Sequence, residues 1–335
     1  MAFSFGGNKN RRIPLTTEEQ ALAQVLYDAI RRATNKISVE ELAKIIEGID
    51  ADTLARLLNN ITIVGDSASI QKALLDSVDI GGKQAISQIS KIAPALAFPG
   101  FTPKPVEILN VGEMANMDFS NIPAWARPVR PNVKLSMSFD KTNPNSLKFA
   151  SNRAGQLITS IDELTRISVN RIITEAFTDQ IDVFTTASRI KNIVGLHPQY
   201  ANAVVKFEKA EIARLIKAGV KEGQAKVRAR SSATGYADRL RQSRATTIAR
   251  TEIQIAQNEG RYEGWKQASE AGYVDPEAQK QWIIARDELT CPICLELDGE
   301  TVPWNGIFSN GMERPVAHPN CRCTMLLLPP DRGTR

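Results

Sequence analysis

All four cysteines of this 335-residue chain lie in its last fifth, where they form two short clusters. The first is Cys291-Pro-Ile-Cys294, and the second, His318-Pro-Asn-Cys321-Arg-Cys323, includes one of only two histidines. A chain that used cysteine as a small buried hydrophobic residue would distribute it along its core. Two tight clusters separated by a loop are instead the pattern that a tetrahedral soft-ligand metal site requires. The end of the chain is therefore predicted to fold around an ion.

Two coordination schemes are compatible with this spacing. In the first, two turns of the form ligand-Pro-x-ligand, Cys291–Cys294 and His318–Cys321, complete a tetrahedron and leave Cys323 unused. In the second, Cys321 and Cys323 project to one side of a strand and both bind, so that His318 lies in the outer shell. Either set is closed, with four protein ligands and no open position for a substrate. The predicted cofactor is therefore a structural Zn²⁺.

The alternatives to a metal are reduced thiols that simply pack together, or a disulfide that forms outside the cell. The amino terminus lacks the apolar core of a signal peptide, and no run of residues reaches the apolar length needed to cross a bilayer. We therefore expect the chain to fold in a cytoplasm, where thiols stay reduced. Metal ligation is accordingly preferred over a disulfide, and no membrane contact is predicted.

Positive charge is concentrated in one stretch of the chain. The net charge is +5, but residues 206–250 carry twelve Lys and Arg against four acids, which gives +8 there and leaves −3 for the remainder. A basic helical stretch in a slightly acidic chain indicates contact with nucleic acid or an acidic partner, although a solvated helix face is an equally good interpretation of any single residue. The candidate nucleic-acid-binding residues are Lys217, Lys221, Lys226, Arg228, Arg230, Arg239, Arg241 and Arg244.

Helical periodicity dominates residues 1–93. Thr16-Thr-Glu-Glu19 is a capping box, and apolar residues follow it at helical spacing. Gly81-Gly82 is expected to separate the last two helices of this region, 69–80 and 83–92. The predicted helices begin near Thr16, Ser38, Asp52, Ser69 and Lys83. Short helices with brief polar connections predict a small N-terminal bundle.

The remaining chain divides into a connector, 94–150, and a C-terminal domain, 151–335. Eight prolines between Pro94 and Pro144 exclude long helices from the connector and predict an extended trace. Helices are predicted at 152–176, 186–193, from Pro198 onward and at 237–271, with a break near 231–235, and strands at 280–286, 300–304 after Asp298-Gly299, and 321–328. The fold class is therefore mostly α with a small C-terminal β element (α+β), in which the zinc staples the small sheet.

Several motifs now occur in one order. They are RATTIARTE at 244–252 followed by Asn258, then Trp282, DELTCPIC at 287–294, LDG at 297–299, Phe308 and HPNCRC at 318–323. Together they resemble the phage Mu F-like minor head protein family, also called phage head morphogenesis proteins, over roughly residues 150–330. The resemblance implies a minor capsid protein near the portal that acts in head assembly and in DNA packaging or ejection. Its implied partners are the portal protein, other capsid components and phage DNA, and its implied location is the virion, assembled in the host cytoplasm.

Arg250 and Glu252 are too close in sequence to face each other on one helix, so each needs a partner from a neighbouring element. We predict that they form a structural polar network that fixes this helix against the sheet. Ala249, Ile253 and Ala256 share one face of the same helix and are predicted to be core.

Three other polar residues have structural interpretations. Asn258 either binds the backbone of a neighbouring loop or lies on the surface of the helix. Asp287 and Asp298 are predicted to set turn geometry, since Asp before a turn accepts from the backbone two residues on.

Enzyme classes find little support, and we expect no enzymatic activity. A zinc deaminase needs a His-x-Glu pair, a zinc hydrolase needs an open coordination site, and a packaging motor needs a Walker A loop; the sequence has none of these patterns. The alternative is a zinc-containing DNA-binding protein or a nuclease, with His197 or His318 as the base and Asp298 on Mg²⁺.

Overall fold

The computed structural model describes residues 14–47, 67–96 and 137–330. The described elements follow in chain order: α1 Thr17–Asn35, α2 Val39–Glu47, α3 Ser67–Leu96, α4 Pro144–Thr178, α5 Val183–Ile193, α6 Pro198–Lys217, α7 Glu222–Glu270, β1 Gln279–Ile283, α8 Pro292–Leu297, β2 Thr301–Pro303 and β3 Thr324–Leu328. This confirms the predicted fold class, mostly helical with a small antiparallel sheet near the C-terminus. In this part of the chain no helix is long and apolar enough to cross a membrane. The helix predicted from Asp52 falls outside the described residues.

The chain divides into two compact units that do not follow chain order. The sheet unit contains the described residues 75–96, 137–148 and 251–330, and the helical unit contains 14–47, 67–74 and 149–250. The predicted domains 1–93, 94–150 and 151–335 stay predictions, since most of the connector is outside the described part.

The helical unit starts with the predicted capping box. Thr16 Oγ1 accepts a hydrogen bond from Glu19 N at 3.2 Å, and Glu19 Oε2 accepts one from Thr16 N at 3.0 Å, which satisfies two otherwise unpaired donors of α1. The core of this unit is aliphatic and draws on α2, α4, α5, α6 and α7. Its buried members include Leu42, Val169, Ile172, Ile190, Ile193, Leu196, Ala201, Val204, Ala233 and Ala237.

The helix break predicted at Gly81-Gly82 is wrong, because α3 runs through both glycines as one helix. In the sheet unit, a Cβ at Gly81 would lie 2.0 Å from the carbonyl oxygen of Gln257, and one at Gly260 would lie 1.9 Å from that of Val78. The backbones of α3 and α7 therefore touch where they cross, and only glycine leaves room for that approach. These glycines serve helix packing and do not end the helix.

The break predicted near 231–235 is also wrong, since α7 continues from Glu222 to Glu270. Ala225, Ala229, Ala233 and Ala237 follow each other at i, i+4 and are all fully buried. This close packing offsets the cost of about 1 kcal/mol that a glycine such as Gly235 imposes inside a helix.

The helix predicted from residue 152 begins earlier, at Pro144, within the predicted connector. Asn143 caps it: its side-chain oxygen accepts from Asn145 N and Ser146 N, both at 3.0 Å. Proline suits the first helical position because that N–H needs no intrahelical partner. Pro144, which was predicted to exclude a helix, is therefore the first residue of one.

The three strands form an antiparallel sheet in the order β2-β1-β3. In register, Gln281 of β1 lies opposite Thr301 on one side and Leu326 on the other. The last strand was predicted over 321–328 but begins at Thr324, so Cys321 and Cys323 precede the strand. The second coordination scheme assumed that Cys321 lies in the strand, and that assumption is wrong.

Candidate metal centre

The first ligand turn is built at the start of α8. Cys291 occupies the N-cap position and Pro292 the first turn, so the chain enters the helix with a fixed backbone. The backbone N–H of Cys294 points at Cys291 Sγ at 3.4 Å. A short helix that begins at one cysteine thus brings the second cysteine to the same side, as the sequence spacing predicted.

The second ligand turn spans His318 to Cys321. Cys321 N donates to His318 O at 3.1 Å, which closes the turn, and Asn320 has a left-handed backbone with φ +61°. Asparagine tolerates this region better than most residues. His318 Nδ1 lies 2.8 Å from the carbonyl oxygen of Pro319, so we assign the proton to Nδ1. The lone pair of Nε2 is then available to a metal.

The structure brings all five predicted ligands together. His318 Nε2 lies 3.0 Å from Cys291 Sγ and 3.2 Å from Cys294 Sγ, and Cys294 Sγ lies 3.7 Å from Cys321 Sγ. The ligand atoms form two triads that share Cys294, one with Cys291 and His318 and one with Cys321 and Cys323. In tetrahedral zinc the bond lengths place two sulfurs about 3.8 Å apart and sulfur and nitrogen about 3.6 Å apart. The residues present therefore fit a metal ion with small adjustments.

The thiols differ in acidity. Burial raises the pKa of Cys294 to about 12. A hydrogen bond from the Cys323 thiol lowers the pKa of Cys321 to about 5, and the same bond raises the pKa of Cys323. Cys321 is thus the most acidic thiol of this triad. Thiols bind a metal ion as thiolates and must first lose their protons, so affinity is expected to fall as the pH falls.

One face of α7, residues Thr251, Gln254 and Asn258, holds the backbone around the second turn; we call these three residues the α7 stripe. Thr251 Oγ1 accepts from Asn320 N at 3.0 Å. Gln254 Nε2 and Asn258 Nδ2 both donate to Cys323 O, at 2.9 and 3.0 Å. Asn258 therefore binds the backbone of a neighbouring segment, which is one of its two predicted roles, and its side chain is fully buried.

A salt bridge joins the loop before the first turn to the second turn. Arg322 Nη1 lies 2.5 Å from Asp287 Oδ2, and Nη2 lies 2.6 Å from Oδ1, which is a bidentate arrangement. The Arg322 guanidinium lowers the pKa of Asp287. Asp287 Oδ1 also accepts from Leu289 N at 3.0 Å, the turn bond that the sequence predicted. Asp298 differs, since it accepts from Ile284 N at 3.4 Å and pairs with Arg286.

A buried lysine, which the sequence analysis missed, anchors the loop before the second turn. Lys280 of β1 is fully buried, and its Nζ donates to Glu313 O at 2.6 Å. The same Nζ lies 5.6 Å from the centroid of the Tyr262 ring and 5.2 Å from that of Phe308. Burial, with a smaller contribution from Arg314, lowers the pKa of Lys280 to about 8.

The residues of the predicted polar network are placed as follows. In the helical unit, Arg250 Nε lies 3.6 Å from Glu19 Oε2 of α1, so this partner comes from a helix and not from the sheet. In the sheet unit, Glu252 is buried. Ala249, Ile253 and Ala256 are buried as the apolar stripe predicted. A joint network of Arg250 and Glu252 stays a prediction.

Two of the candidate nucleic-acid-binding residues have another role. Arg241 is buried and donates to the carbonyl oxygens of Lys191, Asn192 and Val194, and Arg244 is buried and donates to Gly195 O at 2.7 Å. These carbonyls lie in the last turn of α5 and in the two residues after it, where a helix terminus leaves acceptors unpaired. Both side chains therefore cap a buried chain segment, and assigning them to DNA contact was wrong.

The other six candidates lie nearer the surface. Lys226 pairs with Glu222 at 2.8 Å, Arg230 binds Thr185 Oγ1 and lies 5.9 Å from the centroid of the Phe184 ring, and Arg239 lies 5.7 Å from that of Tyr236. Lys217, Lys221 and Arg228 are exposed. DNA contact through these six residues stays a prediction.

The two histidines have distinct environments. His197 is the N-cap of α6, and its Nδ1 accepts from Gln199 N at 3.3 Å. Burial, followed by the charge of Arg244, lowers the pKa of His197. His318 lies in the metal cluster. The His197 imidazole therefore caps a helix, and the His318 imidazole belongs to the candidate ligand set.

Comparison with known protein families supports the resemblance. The sequence profile of the family described as phage Mu protein F like protein matches residues 209–326, a segment that contains both ligand turns and the α7 stripe. The match confirms the predicted resemblance over that segment, which starts later than the residue 150 expected from the motifs. No curated protein and no solved structure gave a significant match.

Proposed function

We propose that this chain is a minor head protein of a tailed bacteriophage and acts in head morphogenesis, on the premise that residues 209–326 resemble the phage Mu F-like family. That match carries the proposal, because it spans the helix and both ligand turns that build the metal cluster. The protein would reside in the virion, bound to the portal protein and other capsid components. A role in DNA packaging or ejection follows from that location.

The proposed cofactor is a structural Zn²⁺. Thiolates and an imidazole are the donors that zinc prefers, and Cys291, Cys294 and His318 would supply three of them. Cys321 or Cys323 would supply the fourth. When bound, the ion cross-links the start of α8 to the segment before β3. With four protein ligands it has no position for a substrate, and the chain is proposed not to be an enzyme.

The test of the head-protein proposal is to locate the chain in assembled particles. We expect mass spectrometry of purified phage heads to detect it, and imaging of intact heads to place it at the portal vertex. A nonsense mutation in its reading frame should yield aberrant or empty heads, with normal heads restored by the full-length chain in trans. Normal, infectious heads without the protein would contradict the proposal.

A DNA-binding function is the second candidate, and the exposed cations of the helical unit favour it. Lys217, Lys221 and Arg228 lie near the junction of α6 and α7, and each is exposed. Binding through such side chains weakens steeply with added salt and shows little sequence preference. We expect a triple change to glutamine to weaken DNA binding at low salt, whereas binding that ignores salt would contradict this candidate.

The nuclease version of this candidate has its own test. Purified protein is incubated with DNA and Mg²⁺, and cleavage is compared between the wild type and the His197→Ala and His318→Ala variants. A nuclease must cleave in a histidine-dependent way. The head-protein proposal expects no cleavage.

A further inference from the structure

We propose that the α7 stripe selects Cys321, and not Cys323, as the fourth ligand of the ion. This inference rests on the proposed zinc centre and deepens it, since it assigns a positioning role to Thr251, Gln254 and Asn258, which do not touch the ion. Two cysteines separated by one residue are equally available in the sequence. The choice between them must come from the surrounding structure.

The stripe binds the backbone on both sides of Cys321. Thr251 Oγ1 accepts from the N–H of Asn320, the residue before it, at 3.0 Å. Gln254 and Asn258 donate to the carbonyl oxygen of Cys323, two residues after it, at 2.9 and 3.0 Å. Residues at i, i+3 and i+7 lie on one helix face, so a rigid element fixes two points of a short segment, Asn320 N and Cys323 O, through three hydrogen bonds.

This fixed backbone places Cys321 correctly for an ion. The Cys321 N to His318 O bond of 3.1 Å closes the turn that carries the imidazole. Cys321 Sγ then lies 3.7 Å from Cys294 Sγ. Two thiolates on one tetrahedral zinc are about 3.8 Å apart. Cys321 can therefore bind with almost no movement relative to Cys294.

The backbone of Cys323 is held at its carbonyl end. The carbonyl oxygen accepts two hydrogen bonds, and the next residue, Thr324, begins β3 and donates from Oγ1 to Asn258 Oδ1 at 3.0 Å. The Cys323 side chain, like those of Cys294 and Cys321, packs in the buried cluster with Trp282. All three sulfurs lie close together, but only Cys321 is bonded through its backbone to the turn that carries His318. Moving Cys323 Sγ toward Cys291 and His318 would pull on the carbonyl that the stripe holds. The stripe thus opposes the exchange of one cysteine for the other.

The first experiment compares Cys321→Ser with Cys323→Ser in the full-length chain. Zn²⁺ affinity is measured by competition with a chromophoric chelator, and thiolate ligands are counted from the charge-transfer absorption of the Co²⁺ form. We expect Cys321→Ser to weaken affinity by more than the roughly 10–100-fold typical of outer-shell changes, and to lose one thiolate's absorption. Cys323→Ser should leave both quantities unchanged.

The second experiment removes the hydrogen bond that Asn258 of the stripe donates to Cys323 O. Asn258→Asp keeps the acceptor for Thr324 but replaces the donor to Cys323 O with a carboxylate oxygen. We expect affinity to fall about 10–100-fold. In this background Cys323→Ser should no longer be neutral, because Cys323 now competes for the ion. A purely structural role for Asn258 would not create that dependence. Gln254→Ala is the milder variant if Asn258→Asp fails to fold, and Glu270→Gln, on an exposed position of α7, is the matched control.

The outcomes distinguish failure of the proposed zinc centre from failure of the inference that the α7 stripe selects Cys321. Wild-type protein that binds neither Zn²⁺ nor Co²⁺ would remove both the zinc centre and this inference. Wild-type protein that binds the ion, but loses more affinity with Cys323→Ser than with Cys321→Ser, would overturn the inference alone. The same holds if neither stripe variant changes affinity or the effect of Cys323→Ser.

Discussion

The two units of this protein are stabilised in different ways. The helical unit has an aliphatic core in which side chains such as Ile190 and Val169 are fully buried, and burial of this kind needs no partner other than the chain itself. The end of the sheet unit has three strands of five, three and five residues, which offer little apolar area. There, polar tethers and a cluster of thiols and imidazole connect the strands to α7 and α8. We therefore expect the helical unit to be stable without an ion, and part of the sheet unit to depend on the proposed one.

The largest expected effect is loss of the ion. Chelation withdraws the ion itself, and Cys294→Ser removes the ligand shared by both triads. Structural zinc contributes on the order of 10 kcal/mol in isolated zinc fingers, so we expect residues 279–328 to lose protection from hydrogen exchange while α1 and α5 keep theirs. Glu296→Gln, on the exposed side of α8, is the control and should behave as wild type. Equal protection with and without chelator would show that the sheet does not need the ion.

A substitution in the apolar core should destabilise the helical unit without affecting the proposed ion. Ile190→Ala deletes a fully buried side chain and should lower the free energy of unfolding by about 2–5 kcal/mol. Ile167→Ala, at an exposed position of α4, is the matched control and should change it by about 0.5 kcal/mol or less. Zinc content, measured by elemental analysis, should stay the same in both variants. A loss of zinc in Ile190→Ala would mean that the two sources of stability are not separable.

The α3–α7 crossing in the sheet unit offers a test of packing without the ion. Gly81→Ala places a Cβ 2.0 Å from a backbone oxygen, and we expect a cost of about 1–3 kcal/mol or more. Gly155→Ala on α4 meets no atom within 4 Å, and should stabilise the helix by up to about 1 kcal/mol. Denaturant unfolding of the two variants checks the difference. Opposite signs are the expected result, and similar effects would contradict a close crossing.

The last expected effect is confined to alkaline pH and comes from Lys280. Its pKa is about 8 in the folded protein against 10.5 ordinarily, so between these values the unfolded chain binds more protons. The free energy of unfolding should therefore rise with pH across that window, by at most about 1.4 kcal/mol per pH unit, and the dependence should vanish below about pH 8. Comparison with Lys280→Met isolates this residue from Tyr262, Arg314 and the thiols nearby. The free energy of unfolding should rise more steeply with pH in the wild type than in the variant across this window.

Local signals predicted local structure well. The capping box at Thr16 and the two ligand turns depend on residues three apart, and the structure has all three as expected. Gly81 and Gly235 were poor signals of a helix break. A glycine ends a helix only where tertiary packing does not favour its continuation, and here both helices continue. The assignment of Arg241 and Arg244 to DNA contact was based on charge alone. The sequence gives no sign that these two side chains bind unpaired backbone carbonyls near the end of α5.

Some of the missed residues did leave a signal. Thr251 and Gln254, which the sequence analysis did not single out, share one face of α7 with Asn258, and the neighbouring Ala249, Ile253 and Ala256 are buried, which indicates polar contacts at a buried edge. Lys280 alternates in phase with Trp282 along β1, so a strand with Trp282 inside must bury the lysine as well. Their partners are carbonyl oxygens, which have no sequence signature, so the contacts themselves required coordinates.

The Asp287–Arg322 bridge has a consequence for how the ion is gained and lost. Residues 287 and 322 bracket the whole stretch of chain that separates the two ligand turns, so their bidentate contact already closes that loop. Loop closure is an entropic cost that grows slowly with length, and here it is met before any metal arrives. Each turn is thereby kept at a high effective concentration with respect to the other. If the proposed centre binds an ion, a ligand that dissociates should rebind before its neighbours dissociate, and we therefore expect exchange of the ion to be slow.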